Sequence, residues 1–354
     1  MSVVAERPAP PAGQLRVTRS RRNVAWTGLG ALIVVILLAL LPYIVYSGTT
    51  SILVQGFIVL TLASMWNLLA GYAGLVSVGQ QVFVGLGAYF VLILAIHGTS
   101  PFAALPVAAV GCAVAALPLW WLVSRLRSGY FAIATWVLAA TVMLIIEKFS
   151  SIGGGTGMPL PGLTGLSSTL LTAYTYWIGL AVTVATLATI YLLLRGPLGL
   201  VLTAIRDDEV AARSSGARVG LARALVFVVA GAGCGAAGAV LAISQLQVQP
   251  SAVFSVQWTA EMAFATIIGG LGTIEGPIIG TVVYMVLQQT LQSYNAWYLI
   301  VLGIVAIAVA LFFRRGLWGL VDERLNLRLF PVGYWLWPGD DPAPKSLRRR
   351  SRST

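Results

Sequence analysis

A short charged segment interrupts an otherwise strongly apolar chain. Charged residues make up only 9% of the 354 residues, yet acids and bases crowd together in residues 195–223. Gly196 and Pro197 are typical of a helix start and Gly216 of a helix end, which predicts one helix between them. Such a helix either lies on a lipid surface or docks on a protein. Three consecutive acids, Asp207–Glu209, favour a protein partner because anionic lipid repels them.

Polar residues inside the apolar segments form a second group of candidates. Glu261 begins a short apolar segment, and acids within membrane spans are costly and often functional. We expect its carboxylate either to face a polar pathway through the membrane or to pair with a partner subunit. We expect Glu147 to form a local interfacial pair with the adjacent Lys148, and Glu275 to lie in a solvated turn. The further pathway candidates are Asn67, Gln80, Gln81 and Thr135.

The residue types that catalysis or a fixed metal site would need are not arranged for it. The GGGTG run is not followed by Gly-Lys-Ser/Thr, so it is not a phosphate-binding P-loop. No H-E-x-x-H or G-x-S-x-G motif occurs, and the single histidine, His97, lies at a predicted span end. Cys112 and Cys234 lie inside apolar runs, as small packing residues do. We therefore expect no catalytic site, no metal and no directly bound cofactor.

The composition places the chain in a lipid bilayer. Hydrophobic residues make up 58% of the sequence and the mean hydropathy is +0.89, whereas soluble domains are nearer half apolar and about a quarter charged. The alternating polar pattern of an outer-membrane barrel is absent. The net charge is +11, but the basic residues flank apolar segments. They therefore predict topology anchors rather than a nucleic-acid surface.

Ten apolar runs approach or reach the length needed to cross about 30 Å of hydrocarbon. The predicted spans lie near 29–46, 51–69, 75–96, 102–123, 130–147, 177–194, 223–246, 258–270, 277–292 and 297–313. The segments 258–270 and 277–292 are short and share a glycine-rich break, so they form either a re-entrant hairpin or two half-spans. With this count, every arginine cluster falls on one side, which predicts that both termini are cytoplasmic.

These spans divide the chain into three parts. A basic tail, residues 1–28, precedes a transmembrane domain, residues 29–313, and a cytoplasmic tail, residues 314–354, follows it. The first span lacks a cleavage site and is predicted to be retained. Residues 148–176 form an external Gly/Pro-rich loop that is either filler or a cover over a pathway mouth. Residues 195–222 form the charged cytoplasmic loop. The predicted fold class is all-α, a polytopic membrane helix bundle.

Several stretches, in chain order, resemble one family. The string NLLAGYAGLVSVGQQVFVGLGAY at 67–89 is similar to the pattern of branched-chain amino acid ABC transporter permeases, with Gln80 where that pattern has histidine. EVAARSSG at 209–216 resembles the coupling signature E-A-A-x-x-x-G of ABC importer permeases, with one inserted residue. GGLGTIEGPIIG at 269–280 is the best match of the set. The shorter matches are GYFAIATW at 129–136 and GGTGMPLPG at 154–162. Within the family, the long external loop and basic N-terminal extension resemble the LivM type of subunit.

That resemblance implies an ABC importer permease fold in a bacterial inner membrane. It implies three kinds of protein partner: a second, LivH-like permease subunit, two ABC ATP-binding subunits, and an extracytoplasmic solute-binding protein. The lipid bilayer surrounds the complex, and no nucleic acid is expected. ATP and Mg²⁺ would be used by the partner subunits, and the charged helix would be the coupling helix that sits in their cleft. Its coupling residues would be Arg206, Asp207, Asp208, Glu209, Ala211, Ala212, Arg213 and Gly216.

Glycines in the matching segments are predicted to let backbones approach closely or to break helices near a pathway. They are Gly71, Gly74, Gly79, Gly85, Gly87, Gly269, Gly270, Gly272 and Gly276. The resemblance implies branched-chain or related amino acids as substrates, with urea, short amides or other small solutes as the alternative. The rival class is an ion-coupled secondary transporter, which would need carboxylates near the bilayer middle and, often, inverted repeats.

Overall fold

The computed structural model describes a protein that is mainly helical. The described residues are 15–18, 21–126, 129–163, 165, 167–291, 297–312, 316–325 and 335–338. The helices are α1 (Arg21–Leu40), α2 (Ser47–Asn67), α3 (Gln81–Ile96), α4 (Pro101–Val123), α5 (Gly129–Glu147), α6 (Ser168–Arg195), α7 (Pro197–Asp207), α8 (Glu209–Ser214), α9 (Val219–Gln245), α10 (Pro250–Val253), α11 (Val256–Gly269), α12 (Glu275–Leu291), α13 (Trp297–Phe312) and α14 (Gly316–Leu325). The strands are β1 (Leu15–Thr18), β2 (Met158–Pro159), β3 (Gln247–Val248) and β4 (Trp335–Pro338).

The predicted all-α membrane fold is confirmed, and within the described residues each predicted span overlaps a helix. Within the described ranges, six helices are long and apolar enough to cross a membrane, judged by length and composition. Two shorter apolar helices, Gly30–Tyr43 and Gln81–Ile96, add to them. The count of about ten crossings and the side on which the termini lie stay predictions.

Several predicted boundaries are wrong. Helix α6 begins well before 177, because the Ser167 side chain caps it by accepting a hydrogen bond from the Leu170 amide (3.4 Å). The predicted external loop therefore spans 148–167 rather than 148–176. Helix α1 begins at Arg21, inside the predicted 1–28 tail. Its first turn is polar and precedes the apolar run from which the span was predicted.

A buried irregular segment joins α2 to α3, where the sequence predicted that a span would begin at 75. A π-helical turn (Leu68–Tyr72) follows α2, and residues 73–80 are irregular. Trp66 Nε1 donates a hydrogen bond to a carbonyl oxygen of this segment (2.9 Å), and Thr135 Oγ1 accepts one from an amide of it (3.3 Å). Broken backbone inside a membrane protein needs such internal partners, because the hydrocarbon offers no water.

Small residues let α9 pack tightly against α3 and α4. A Cβ added to Gly87 would overlap the carbonyl oxygen of Gly235, and one added to Gly238 would overlap the backbone of Val84. The buried thiol of Cys112 on α4 fills the space beside Gly235. Close backbone approach of this kind is how membrane helices gain contact without a hydrophobic driving force between them.

Two short β-pairings connect distant segments at the ends of the bundle. Strands β2 and β3 pair antiparallel and tie the 148–167 loop to the connection after α9. Strands β1 and β4 pair antiparallel and bring the two predicted tails together. The two tails therefore contain regular structure, including α14, although they were predicted only as tails.

The α3–α9 contact predicts that Gly87→Ala destabilises the protein. The added Cβ would force the two backbones apart, at a cost of roughly 1–3 kcal/mol. Gly303→Ala is the matched control, since a Cβ at Gly303 on α13 would meet nothing within 4 Å. Thermal unfolding in detergent should show a lower midpoint for Gly87→Ala and an unchanged or slightly raised one for Gly303→Ala. Equal midpoints would contradict the packing.

Candidate functional site

The charged loop contains two helices, so the prediction of one helix from Gly196 to Gly216 is wrong. Helices α7 and α8 meet at Asp208, whose backbone is extended (φ −157°, ψ 111°). The Asp208 side chain accepts hydrogen bonds from Val210 N (2.8 Å) and Ala211 N (3.1 Å). This N-cap makes a new helix start more favourable than continuation of α7. The prediction that the helical segment ends near Gly216 is confirmed, because Gly216 has φ +84° just after α8.

Glu209 ties α8 to the start of α9. Its carboxylate accepts hydrogen bonds from Arg213 Nη2 (2.6 Å) and Arg223 Nη2 (3.0 Å). Arg223 Nε also donates to the carbonyl oxygen of Ala73, in the irregular segment after α2 (3.3 Å). Burial raises the pKa of the Glu209 carboxyl, but the hydrogen bonds from Arg223 and Arg213 outweigh burial and hold the pKa below its usual value. Glu209 is therefore a charged anchor for the loop.

An open hollow of about 370 Å³ lies between α7 and α8. Its lining is mostly apolar and includes Leu200, Ala204 and Ala211, all of them exposed to solvent. Asp207 and Asp208 also line it. A hollow with apolar walls and nearby carboxylates can receive an apolar side chain from a protein that carries basic residues beside it. The coupling candidates thus include residues that line this hollow, such as Asp207 and Asp208, and the Glu209–Arg213 pair of the anchor.

The predicted pathway residues are all buried within the subunit. Gln80 Nε2 donates to Ser77 Oγ (3.3 Å), and the Cys234 thiol donates to Gln80 Oε1 (3.8 Å). Thr259 Oγ1 on α11 donates to Gln81 Oε1 at the start of α3. The relative exposures are 2% for Asn67, 0% for Gln80, 1% for Gln81, 4% for Thr135 and 3% for Glu261. In this conformation these side chains join helices to one another rather than line an open channel.

Glu261 lies in a polar group on α11. Gln257 Nε2 donates a hydrogen bond to Glu261 Oε1 (2.9 Å). Thr259, which lies between Gln257 and Glu261 in the sequence, links α11 to α3. The structure therefore places Glu261 and Gln81 on the same α3–α11–α12 side of the bundle, whereas Thr135 and Gln80 lie nearer α5 and α9.

The glycine-rich turn between α11 and α12 is held by Asn67. Asn67 Oδ1 accepts a hydrogen bond from Gly272 N (2.8 Å), and Asn67 Nδ2 donates to Thr273 O (2.7 Å). Gly272 has φ +78°, a conformation that favours glycine. A Cβ on Gly71 would lie 2.6 Å from Gly272 N, so the π-helical turn also touches the glycine-rich turn. The other predicted glycines that a Cβ would bring into overlap with neighbouring atoms are Gly79, Gly85, Gly87, Gly269 and Gly276.

A second cavity, of about 260 Å³, opens between α2, α6, α9 and α11. Gln55, Thr175 and Ser244 contribute polar groups to its wall, and Ile58 and Leu241 contribute apolar ones. None of its lining residues is charged. The cavity lies near the end of α9 that leads into β3, which is the end opposite the charged loop.

Several residues that sequence reasoning missed complete these sites. Arg223 was counted only as a topology anchor, although it links Glu209 to Ala73. Thr259 and Trp66 were not singled out at all. A polar group inside an apolar span was the available signal for both, because such groups need internal partners.

The helix bundle and its exposed helical pair define a class: a polytopic membrane protein that can receive a partner on one end. The chain belongs to the family described as "Branched-chain amino acid transport system / permease component", whose profile matches residues 48–310. The predicted resemblance is thereby confirmed, and with it the assignment as an ABC transporter permease component. The match covers every helix from α3 to α12 and most of α2 and α13.

Named relatives agree with this membership. The chain is 27% identical over 314 residues to the "High-affinity branched-chain amino acid transport system permease protein LivM" of Escherichia coli (strain K12), covering 81% of this chain and 74% of that protein. The Salmonella typhimurium protein of the same name gives the same values. The "Probable branched-chain amino acid transport permease protein LivM" of Methanocaldococcus jannaschii is 24% identical over 174 residues, covering 49% of this chain and 50% of its own. No solved structure matches the chain.

The Glu209 anchor predicts a particular pH dependence of stability. Because the folded-state pKa of Glu209 is lowered, its contribution is present above the usual carboxyl pKa and is lost as pH falls through the lowered value. The difference in melting temperature between the wild type and Glu209→Gln should stay constant down to about pH 5 and shrink below it. Asp207→Asn is the control and should show little difference throughout. A gap that closes between about pH 7 and pH 6 would contradict the anchor.

Proposed function

We propose that this chain is the permease subunit of an ATP-driven importer in a bacterial inner membrane. Together with a second, LivH-like permease subunit, it forms the translocation pathway for branched-chain or related amino acids. Family membership and the names of the relatives support the substrate class. The observation that carries the ATP-driven mechanism is the exposed α7–α8 pair, anchored to the bundle through Glu209 and Arg223.

Two ABC ATP-binding subunits would supply the chemistry, with ATP and Mg²⁺ bound by them and not by this chain. The hollow between α7 and α8 suits an apolar side chain of such a subunit, and Asp207 and Asp208 suit basic residues around it. Movement of that subunit then acts on two short helices that are fixed to the rest of the protein. The extracytoplasmic solute-binding protein would dock at the opposite end, where β2 and β3 pair.

The cavity between α2, α6, α9 and α11 is a proposed position for solute at the external end. Its uncharged polar wall can hydrogen-bond an amino acid, and its apolar wall suits an aliphatic side chain. A site without fixed charge holds a zwitterion weakly, which a transporter needs in order to release it. Glu261 and Gln81 lie deeper, between α3 and α11, and become pathway residues in this proposal when those helices separate.

Reconstitution of the complete complex tests the proposal. Vesicles that contain both permease subunits, the ATP-binding subunits and the binding protein should accumulate leucine, isoleucine and valine only with ATP. Including urea and acetamide in the panel distinguishes the amino acid substrate from the small-amide alternative. ATP-independent solute movement by this chain alone would contradict the proposal and favour a secondary transporter.

The docking surface predicts that Ala204→Arg separates the permease from the ATP-binding subunits. Ala204 lines the hollow and is exposed, so an arginine there fills the hollow and still suits a helix. Thr203→Arg is the matched control: it is the neighbouring exposed position of α7 and does not line the hollow. Co-purified ATP-binding subunits and ATP-dependent uptake should fall by about tenfold or more for Ala204→Arg. Retention of both would show that the hollow is not the contact.

A further inference from the structure

Three helices that are distant in sequence contact the turn at residues 270–274. The end of α2 holds it through both polar atoms of the Asn67 side chain, which bind Gly272 N and Thr273 O. The start of α14 lies against it, since a Cβ on Gly316 would come 2.5 Å from Gly270 Cα. The third contact comes from the charged loop. The 270–274 turn is therefore a junction, at which α2, α7 and α14 all contact the connection between α11 and α12.

Arg206 provides the contact from α7. A Cβ added to Gly272 would overlap Nη1 of Arg206 and would lie 2.9 Å from its Cζ, so the guanidinium group rests on the backbone of the turn. Glu275 is buried in the first turn of α12, so the prediction of a solvated turn at this position is wrong. Glu275 and Arg206 both lie near the Tyr72 side chain. Opposite charges from α7 and α12 therefore lie near one residue of the π-helical turn. Although Arg206 is an exposed residue, its charged end is directed at the membrane helices and not only at solvent.

The junction is fixed firmly to α11 and α12. Thr273 Oγ1 donates a hydrogen bond to Gly270 O (2.9 Å) and accepts one from Gly276 N (3.0 Å), which fixes the turn to α12. A Cβ on Gly280 would overlap the carbonyl oxygen of Ala265, so α11 and α12 lie with their backbones in contact. A displacement of the turn must therefore displace α11 and α12 together.

We propose that Arg206 is a positioning residue that passes the movement of α7 to the 270–274 turn, and through it to α11 and α12. Asn67 holds the turn in register while Arg206 presses on Gly272. Helix α11 carries Thr259 and Glu261, so the same movement reaches the polar group between α3 and α11. This inference rests on the proposed function, but it assigns Arg206 to contact within the subunit, whereas docking on the ATP-binding subunit falls to the hollow.

The test is Arg206→Ala in the complete reconstituted complex, with Arg218→Ala as the control. Arg218 is another exposed arginine of the charged loop, at the N-cap of α9. We expect Arg206→Ala to retain its co-purified ATP-binding subunits but to lose about tenfold in solute transported per ATP hydrolysed. Arg218→Ala should stay within about twofold of wild type. Asn67→Asp, which keeps the acceptor for Gly272 N but loses the donor to Thr273 O, should lower the same ratio.

Each outcome bears on one claim. If the wild-type complex shows no ATP-dependent uptake, the proposed function fails before Arg206 is considered. If the wild-type complex works and Arg206→Ala transports with normal stoichiometry, the inference is overturned. It is also overturned if Arg206→Ala loses its ATP-binding subunits, because Arg206 would then be a docking residue. Reduced transport per ATP with the subunits retained, together with a normal Arg218→Ala, supports it.

Discussion

Where a helix is interrupted inside a membrane bundle, the freed backbone groups must form their hydrogen bonds within the protein. The rest of this structure depends on the side chains that provide those hydrogen bonds. Two such breaks in the described part of the chain are residues 68–80 after α2 and residues 270–274 between α11 and α12. Neighbouring residues at the end of α2 serve both of them. Trp66 binds the first break through Ser77 O, and Asn67 binds the second through Gly272 and Thr273. Trp66 and Asn67 are buried, and without these side chains each backbone group left buried and unpaired would cost on the order of 2–7 kcal/mol.

The charged loop contacts the same two breaks from the other side. Helix α8 reaches the first break through Glu209 and Arg223, which bonds Ala73 O. Helix α7 reaches the second break through Arg206, which lies on Gly272. Asp208 divides the one predicted helix into α7 and α8, and each of these short helices contacts a different break. A partner that moves this pair acts on both interruptions of the membrane helices.

Length and hydropathy were sufficient to predict the helices of the bundle, because each span must bury about 20 apolar residues in hydrocarbon. Composition was sufficient to predict a charged loop with exposed helices, since acids and bases in 195–223 have no place in lipid. The Asp208 break was missed because a side-chain cap competed with helical periodicity over one residue. The start of α6 was missed for the same reason at Ser167. Asn67 was chosen as a pathway residue, but its partners lie more than 200 positions away, with a separation of 205 to Gly272. No local pattern in a single sequence encodes that pairing.

The central claim is that α7 and the 270–274 turn move as one body when ATP acts on the complex. Pulsed-EPR distances between labelled cysteines test it directly, because the native Cys112 and Cys234 are both buried. Labels at the exposed positions Thr203 and Leu271 should keep the same separation in the nucleotide-free and ATP-bound complexes. A second pair, at the exposed Leu117 on α4 and at Leu271, should change its separation. A Thr203–Leu271 distance that changes with ATP would contradict the account.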